Sequence, residues 1–201
     1  MPTVYQLKPA FQRRLRPCVA WLVRRGVTAN QVTLAALILC LAYGGLMAAL
    51  PADPWPLVVL PVVLLVRMAL NAMDGMLARE FAQTSRMGAM LNELGDVVGD
   101  VALYLPLALV PGFPAALVVI FVMLAALTEM AGVMPQALGG ARSYRGPMGK
   151  SDRALAVGIV ALVTGLGLAP GLWLDLVMIA VIGLAVLTVA NRMGDGKGAG
   201  Q

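Results

Sequence analysis

NAMDGMLAREFAQTSRMGAMLNELGDVVGD, residues 71–100, gathers three aspartates, two glutamates, two asparagines and two arginines into a chain that is 60% hydrophobic. The mean hydropathy of the 201-residue chain is +0.86, and 12% of its residues are charged. A soluble domain keeps about a quarter of its residues charged. Apolar runs of about 20 residues, the length that crosses a bilayer core, recur on both sides of the stretch. The composition predicts one all-α integral membrane domain, with six transmembrane helices preceded by an interfacial amphipathic helix. The polar stretch then has to be accommodated inside the membrane.

Working outward, residues 4–26 carry Leu7, Phe11, Leu15, Val19 and Leu22 at helical spacing among five arginines. This predicts an amphipathic juxtamembrane helix over 1–27, bent or interrupted at Pro17. Thr28-Ala29-Asn30-Gln31 has the form of a capping box and opens the membrane domain, 28–193. The predicted spans are 32–50, 57–76, 87–110, 113–134, 154–168 and 172–190, the fifth being short. A Gly-rich tail, 194–201, is expected to be flexible. The first apolar run is long enough to span and follows a long basic region, so it does not read as a cleavable signal.

The formal charge of +5 and isoelectric point near 9.7 do not imply nucleic acid, because the basic residues lie between apolar runs. The N-terminal segment, the second-to-third and fourth-to-fifth connections and the tail hold fourteen of the fifteen Lys and Arg. The three opposite turns hold none. By the positive-inside rule both termini are expected in the cytoplasm, in a bacterial inner membrane, with contact to anionic lipid as a second effect. Histidine is absent, which excludes His-ligated metals and Ser-His or Cys-His nucleophiles. Cys18 and Cys40 are the two cysteines and form no disulfide framework.

The fifteenth basic residue, Arg67, begins a stripe. Asn71 follows four residues on and Asp74 three beyond that, which places the three on one helix face. Gly75 and Ala78 keep the neighbouring surface low. In the next span Gly88, Asn92, Asp96 and Asp100 recur every four residues, with Glu93 beside them. An ionisable group at membrane depth costs about 2.5–3.5 kcal/mol on insertion scales, so these acids need a partner. Arg67 can pair with one of them. Divalent cations account for more, because carboxylate and amide oxygens are the ligands that Mg²⁺, Mn²⁺ or Ca²⁺ prefer. Glu129, in the fourth span, is a further intramembrane acid that could face this cavity or pair with Arg67.

Asn71-Ala72-Met73-Asp74-Gly75-Met76-Leu77-Ala78-Arg79, then eight residues to Gly88, then Asn92 and Asp96, resembles the CDP-alcohol phosphotransferase signature. That signature reads DxxDGxxAR, eight residues, then GxxxDxxxD. Spacing agrees throughout 71–96, and GVTANQVT looks like the family's entry to its first span. The resemblance covers most of the chain and implies six transmembrane helices with the signature on the second and third. It departs at two positions: the family's first and third aspartates are Asn71 and Asn92 here. Each change removes a negative charge while leaving an amide oxygen.

What the resemblance implies is a metal-dependent enzyme of phospholipid synthesis. It would transfer phosphatidyl from CDP-diacylglycerol to a small alcohol, release CMP, use Mg²⁺ or Mn²⁺, and form a homodimer in lipid with its site at the cytoplasmic side. By position Asp96 would be the base that takes the acceptor's proton. Asn71, Asp74, Asn92 and Asp96 would face the metal, with Glu93 and Asp100 near enough on the third span to restore the lost charge. Gly75, Ala78, Arg79 and Gly88 would meet the nucleotide; small residues also pack helices, and Arg79 also reads as an interfacial anchor. Arg142, Arg145, Lys150 and Arg153 either obey the positive-inside bias or bind a phosphate on the acceptor, such as glycerol 3-phosphate. Two other readings stay open, a non-catalytic CDP-lipid-binding relative and a small transporter. CMP release with a panel of alcohols separates them.

Overall fold

The computed structural model describes residues 8–196. Helix α1 is Lys8–Arg24, α2 Ala29–Ala49, α3 Trp55–Glu80, α4 Arg86–Tyr104, α5 Ala115–Ala137, α6 Lys150–Gly165 and α7 Leu172–Gly196. A 3-10 helix, Leu105–Leu109, follows α4. No strand occurs among the described residues. Helix α1 continues through Pro17 rather than stopping there. The expected first turn of that helix, residues 4–7, and most of the 194–201 tail lie outside the described residues.

Four helices are long and apolar enough to cross a membrane: α2, α3, α5, and α7 over Leu172–Asp195. The expectation of six spans is therefore met only in part. Helix α4 carries the polar stripe, which lowers its hydropathy. Helix α6 has 16 residues, about 24 Å at 1.5 Å per residue, against a bilayer core of about 30 Å. Large apolar side chains point outward from the helices, among them Ile38, Leu41, Val62, Leu65, Met123 and Ile179. Water disfavours such a continuous apolar surface, which suits lipid.

Inside, α5 packs on α7, α2 on α3 and α4, and α3 on α6. The core runs through Leu60, Leu64, Leu103, Tyr104, Phe121, Ala161 and Leu174. Close approach of α2 and α4 depends on Gly44, because any Cβ there would strike the carbonyl of Ala102. A smaller cluster, Val19, Ala29, Val32, Met76 and Leu77, holds α1 against the start of α2 and the end of α3. Arg16 reinforces it with a fork of 3.0 and 3.2 Å to Glu80.

The helix ends nearest the polar stretch are fixed by caps. Thr28 and Gln31 form the expected capping box, at 3.3 and 2.9 Å. The amide of Ala29 donates to Gln83 Oε1 at 2.7 Å, so the α3–α4 turn caps α2. Ser85 caps α4 through Gly88 N at 2.9 Å. Asp152 accepts from Gly149 N at 3.2 Å at the start of α6. Each bond occupies an amide that the helix itself leaves unpaired.

Candidate active site

The stripe on α3 and the stripe on α4 face each other across a cavity of about 1250 Å³. Asn71, Asp74, Gly75, Ala78 and Arg79 line it from α3, and Gly88, Asn92 and Asp96 from α4. Thr33 of α2 donates to Asp74 Oδ2 at 2.9 Å. Asn71 Nδ2 donates to Asp96 Oδ1 at 2.9 Å, and the Lys150 ammonium pairs with that same oxygen. The two helices are thus joined through Asp96, and α6 is drawn in by its first residue.

The small residues have identifiable neighbours. A Cβ at Gly75 would lie 2.9 Å from Arg79 Nη2, and one at Gly88 would lie 2.9 Å from Ser85 Oγ. Gly75 makes room for the Arg79 guanidinium, which folds back along α3. All four residues expected to meet a nucleotide line the same cavity.

Two of the expected metal-facing acids are placed elsewhere. Asp100 is 1% exposed and lies between two guanidinium groups, paired with Arg67 and with Arg153 at 2.7 Å. Glu93 pairs with Arg142. Neither lines the cavity. Asn71, Asp74, Asn92 and Asp96 do come together. Among the described residues no group of three or more acids, cysteines or histidines is placed to hold a metal ion. From the four signature positions two carboxylates and two amides face the cavity; Glu129 and Asp152 also line it, the first paired with Arg142 and Arg153 and the second capping α6. The oxygens at the signature positions are hard ligands and suit a divalent cation, but they carry half the negative charge of the four-aspartate signature.

Along the cavity floor, charges alternate in a chain that is partly exposed at Glu93 and Arg142 and buried at Glu129, Arg153, Asp100 and Arg67. Glu93 meets Arg142, Arg142 meets Glu129 at 3.1 Å, Glu129 meets Arg153 at 2.6 Å, and Arg153 and Arg67 enclose Asp100. Arg67 also donates to the Asp96 carbonyl at 2.8 Å, and Gly99 leaves space for its guanidinium. Glu129 therefore pairs with Arg153 and Arg142 and not with Arg67. Three acids and three arginines balance, as burial requires of charges.

Of the four residues expected to bind an acceptor, Arg142 and Lys150 line the cavity. Arg153 is fully buried under it, held by Asp100, Glu129 and Thr128. Arg145 pairs with Asp195 at 2.6 Å near the surface. Thr33, Gln83 and Arg192 also line the cavity, beyond the residues expected from the sequence. Arg192 lines the cavity from α7 and donates to the Thr128 and Arg145 carbonyls. As one more basic residue near a span end, it was indistinguishable from an orientation charge. Thr33 had a usable signal: a hydroxyl one turn inside an apolar run, level with the signature.

A family model described as CDP-alcohol phosphatidyltransferase matches residues 26–190. The inner membrane protein YnbA of Escherichia coli (strain K12) is 48% identical over 190 residues, 94% of each chain. Among solved structures, the Mycobacterium tuberculosis phosphatidylinositol phosphate synthase with CDP-DAG bound superposes with a TM-score of 0.76 at 22% identity. That likeness covers 94% of this chain and 98% of that one. The same enzyme in complex with manganese and citrate gives a TM-score of 0.74 at 22% identity, over 92% and 91% of the two chains.

Proposed function

The chain belongs to the CDP-alcohol phosphatidyltransferase family, and on that premise we propose that it moves a phosphatidyl group from CDP-diacylglycerol to a small alcohol, releasing CMP. The observation that carries this is the meeting of Asp74, Asp96, Asn71 and Asn92 with Gly75, Ala78, Arg79 and Gly88 in one cavity. The cavity also has an apolar flank between α3 and α6, formed by Leu65, Met68, Ile159 and Leu162, which suits acyl chains. The nucleotide lies along Gly75, Ala78 and Gly88, with Arg79 on its phosphate. The neighbours solved with CDP-DAG and with manganese are consistent with such a substrate and with a divalent cation.

Asp74 and Asp96, with the amide oxygens of Asn71 and Asn92, would hold that cation, Mg²⁺ or Mn²⁺. Bound there, it would offset charge on the pyrophosphate and on the departing CMP. Asp96 acts as the base. The Asn71 and Lys150 contacts both fall on Oδ1, so Oδ2 takes the proton of the acceptor hydroxyl. The alcohol oxygen then bonds to the phosphorus that carries diacylglycerol, and the bond from that phosphorus to CMP breaks. Arg142, Lys150 and Arg192 form the acceptor's wall. Since Arg142 and Lys150 already carry carboxylate partners, a phosphorylated acceptor has to compete with them.

The same reading places α2 to α7 across an inner membrane, with residues 28–193 as the catalytic domain. Helix α1 lies at the interface, with both termini and the site on the cytoplasmic side, and the chain works as a homodimer. A second reading, a relative that binds CDP-lipid without turning it over, draws on Asn71 and Asn92. Incubating purified protein with CDP-diacylglycerol, a panel of alcohols that includes glycerol 3-phosphate, and Mg²⁺ or Mn²⁺ decides between them. Release of CMP that depends on both acceptor and cation supports the enzyme. Binding without release supports the second reading.

A further inference from the structure

The donor set that faces the cavity is at odds with a pair of divalent ions. Two ions of charge two, held about 3.5–4 Å apart, repel with four times the energy of unit charges at that distance. Four carboxylates can offset that repulsion; the signature positions of this chain offer two, because Asn71 and Asn92 are neutral. The nearby acids do not make up the difference. Glu93 is paired with Arg142, Asp100 is buried between Arg67 and Arg153, Glu129 is paired with Arg142 and Arg153, and Asp152 accepts from Gly149 N at the start of α6.

A cation of the protein's own already stands at one of the two carboxylates. The Lys150 ammonium pairs with Asp96 Oδ1, the oxygen to which Asn71 also donates. The backbone that carries this side chain is held at the cavity's edge. Lys150 is the first residue of α6, Gly149 N is held by Asp152 at 3.2 Å, and Met148 N donates to Thr188 Oγ1 of α7 at 2.9 Å. An ammonium carries three donors. Asp96 takes one, and the others are directed to whatever oxygen enters the cavity.

We infer that the site holds one divalent cation, centred on Asp74, and that the Lys150 ammonium on Asp96 Oδ1 stands in place of a second. This rests on the divalent-cation reading above and goes beyond it in fixing the number of ions and naming the group that replaces one. Charge then balances with fewer acids: the two remaining carboxylates face one metal ion and one ammonium. Lys150 therefore touches a phosphoryl oxygen of the substrate and fixes it beside Asp96.

The test is a Mn²⁺ titration of the purified, substrate-free protein, with unbound ion read by electron paramagnetic resonance. The expected result is one Mn²⁺ per chain. Lys150→Met, by removing a neighbouring unit positive charge, should tighten that binding about tenfold or more. The triple variant Asn71→Asp, Asn92→Asp, Lys150→Met should bind two. Two ions on the unaltered protein, or unchanged Mn²⁺ affinity in Lys150→Met, overturns the inference while leaving the metal reading intact. No binding at all to the unaltered protein overturns the metal reading and this inference with it. Should the triple variant misfold, the Lys150→Met titration alone decides.

Discussion

Replacing Asp96 by Asn keeps the side chain's shape and one ligand oxygen but removes a negative charge and the proton acceptor. General-base catalysis contributes a factor of about 10²–10⁴, so Asp96→Asn should lower turnover by at least about a hundredfold. CDP-lipid affinity should change far less, since Asp74 and the glycine wall remain. Near-normal turnover in that variant would remove Asp96 from the role. Asp100 gives the opposite expectation. Its carboxylate is buried between Arg67 and Arg153, and removing one partner from such a group costs about 3–5 kcal/mol. Asp100→Asn should therefore melt well below the unaltered protein while binding Mn²⁺ within about twofold of it. Unchanged melting together with weakened Mn²⁺ binding would return Asp100 to the metal. These roles were unevenly legible. The spacing of Asn71, Asp74 and Asp96 was enough to put them on facing stripes. That Arg153 satisfies Asp100 and Glu129 could not be read, because periodicity locates residues on one helix and says nothing about its neighbours.

Helices α2, α3, α5 and α7 were legible because apolar runs of their length have few other uses. Helices α4 and α6 blur for opposite reasons, one diluted by functional polarity and the other cut short. What holds such helices in place is close backbone contact, and Gly44 is its clearest instance. Gly44→Val would drive a side chain into the Ala102 carbonyl and push α2 off α4, at a cost of about 1–3 kcal/mol or more for overpacking. Thermal unfolding in detergent checks this, and a melting temperature equal to the unaltered protein's would refute the close contact. The capping of α2 by Gln83 was invisible for a different reason. Its donor and acceptor lie 54 residues apart, and Gln is an unremarkable loop residue.

For the whole molecule, the distribution of Lys and Arg makes a claim about orientation that one thiol can test. Cys18 is exposed on α1, and Cys40 is buried in α2. With the N-terminus in the cytoplasm, a membrane-impermeant maleimide should leave Cys18 unlabelled in intact bacterial cells and label it in inverted vesicles. Labelling in intact cells would reverse the topology. The buried alternation of acids and arginines has its own consequence, which concerns how the chain is made. On the proposed six-span reading, Arg67 enters the membrane first, followed in order by Glu93, Asp100 and Glu129; Arg142 and Arg153 come last. A ribosome that has finished α5 has therefore delivered three of these acids and one of their cations. Asp100 waits 53 residues for Arg153, several seconds at about 5–20 residues per second. Releasing α4 and α5 separately into lipid would leave at least two of those three carboxylates without a cation. On that reading α4 and α5 should stay together until α6 arrives, and a chain truncated after α5 should insert less stably than one that reaches Arg153.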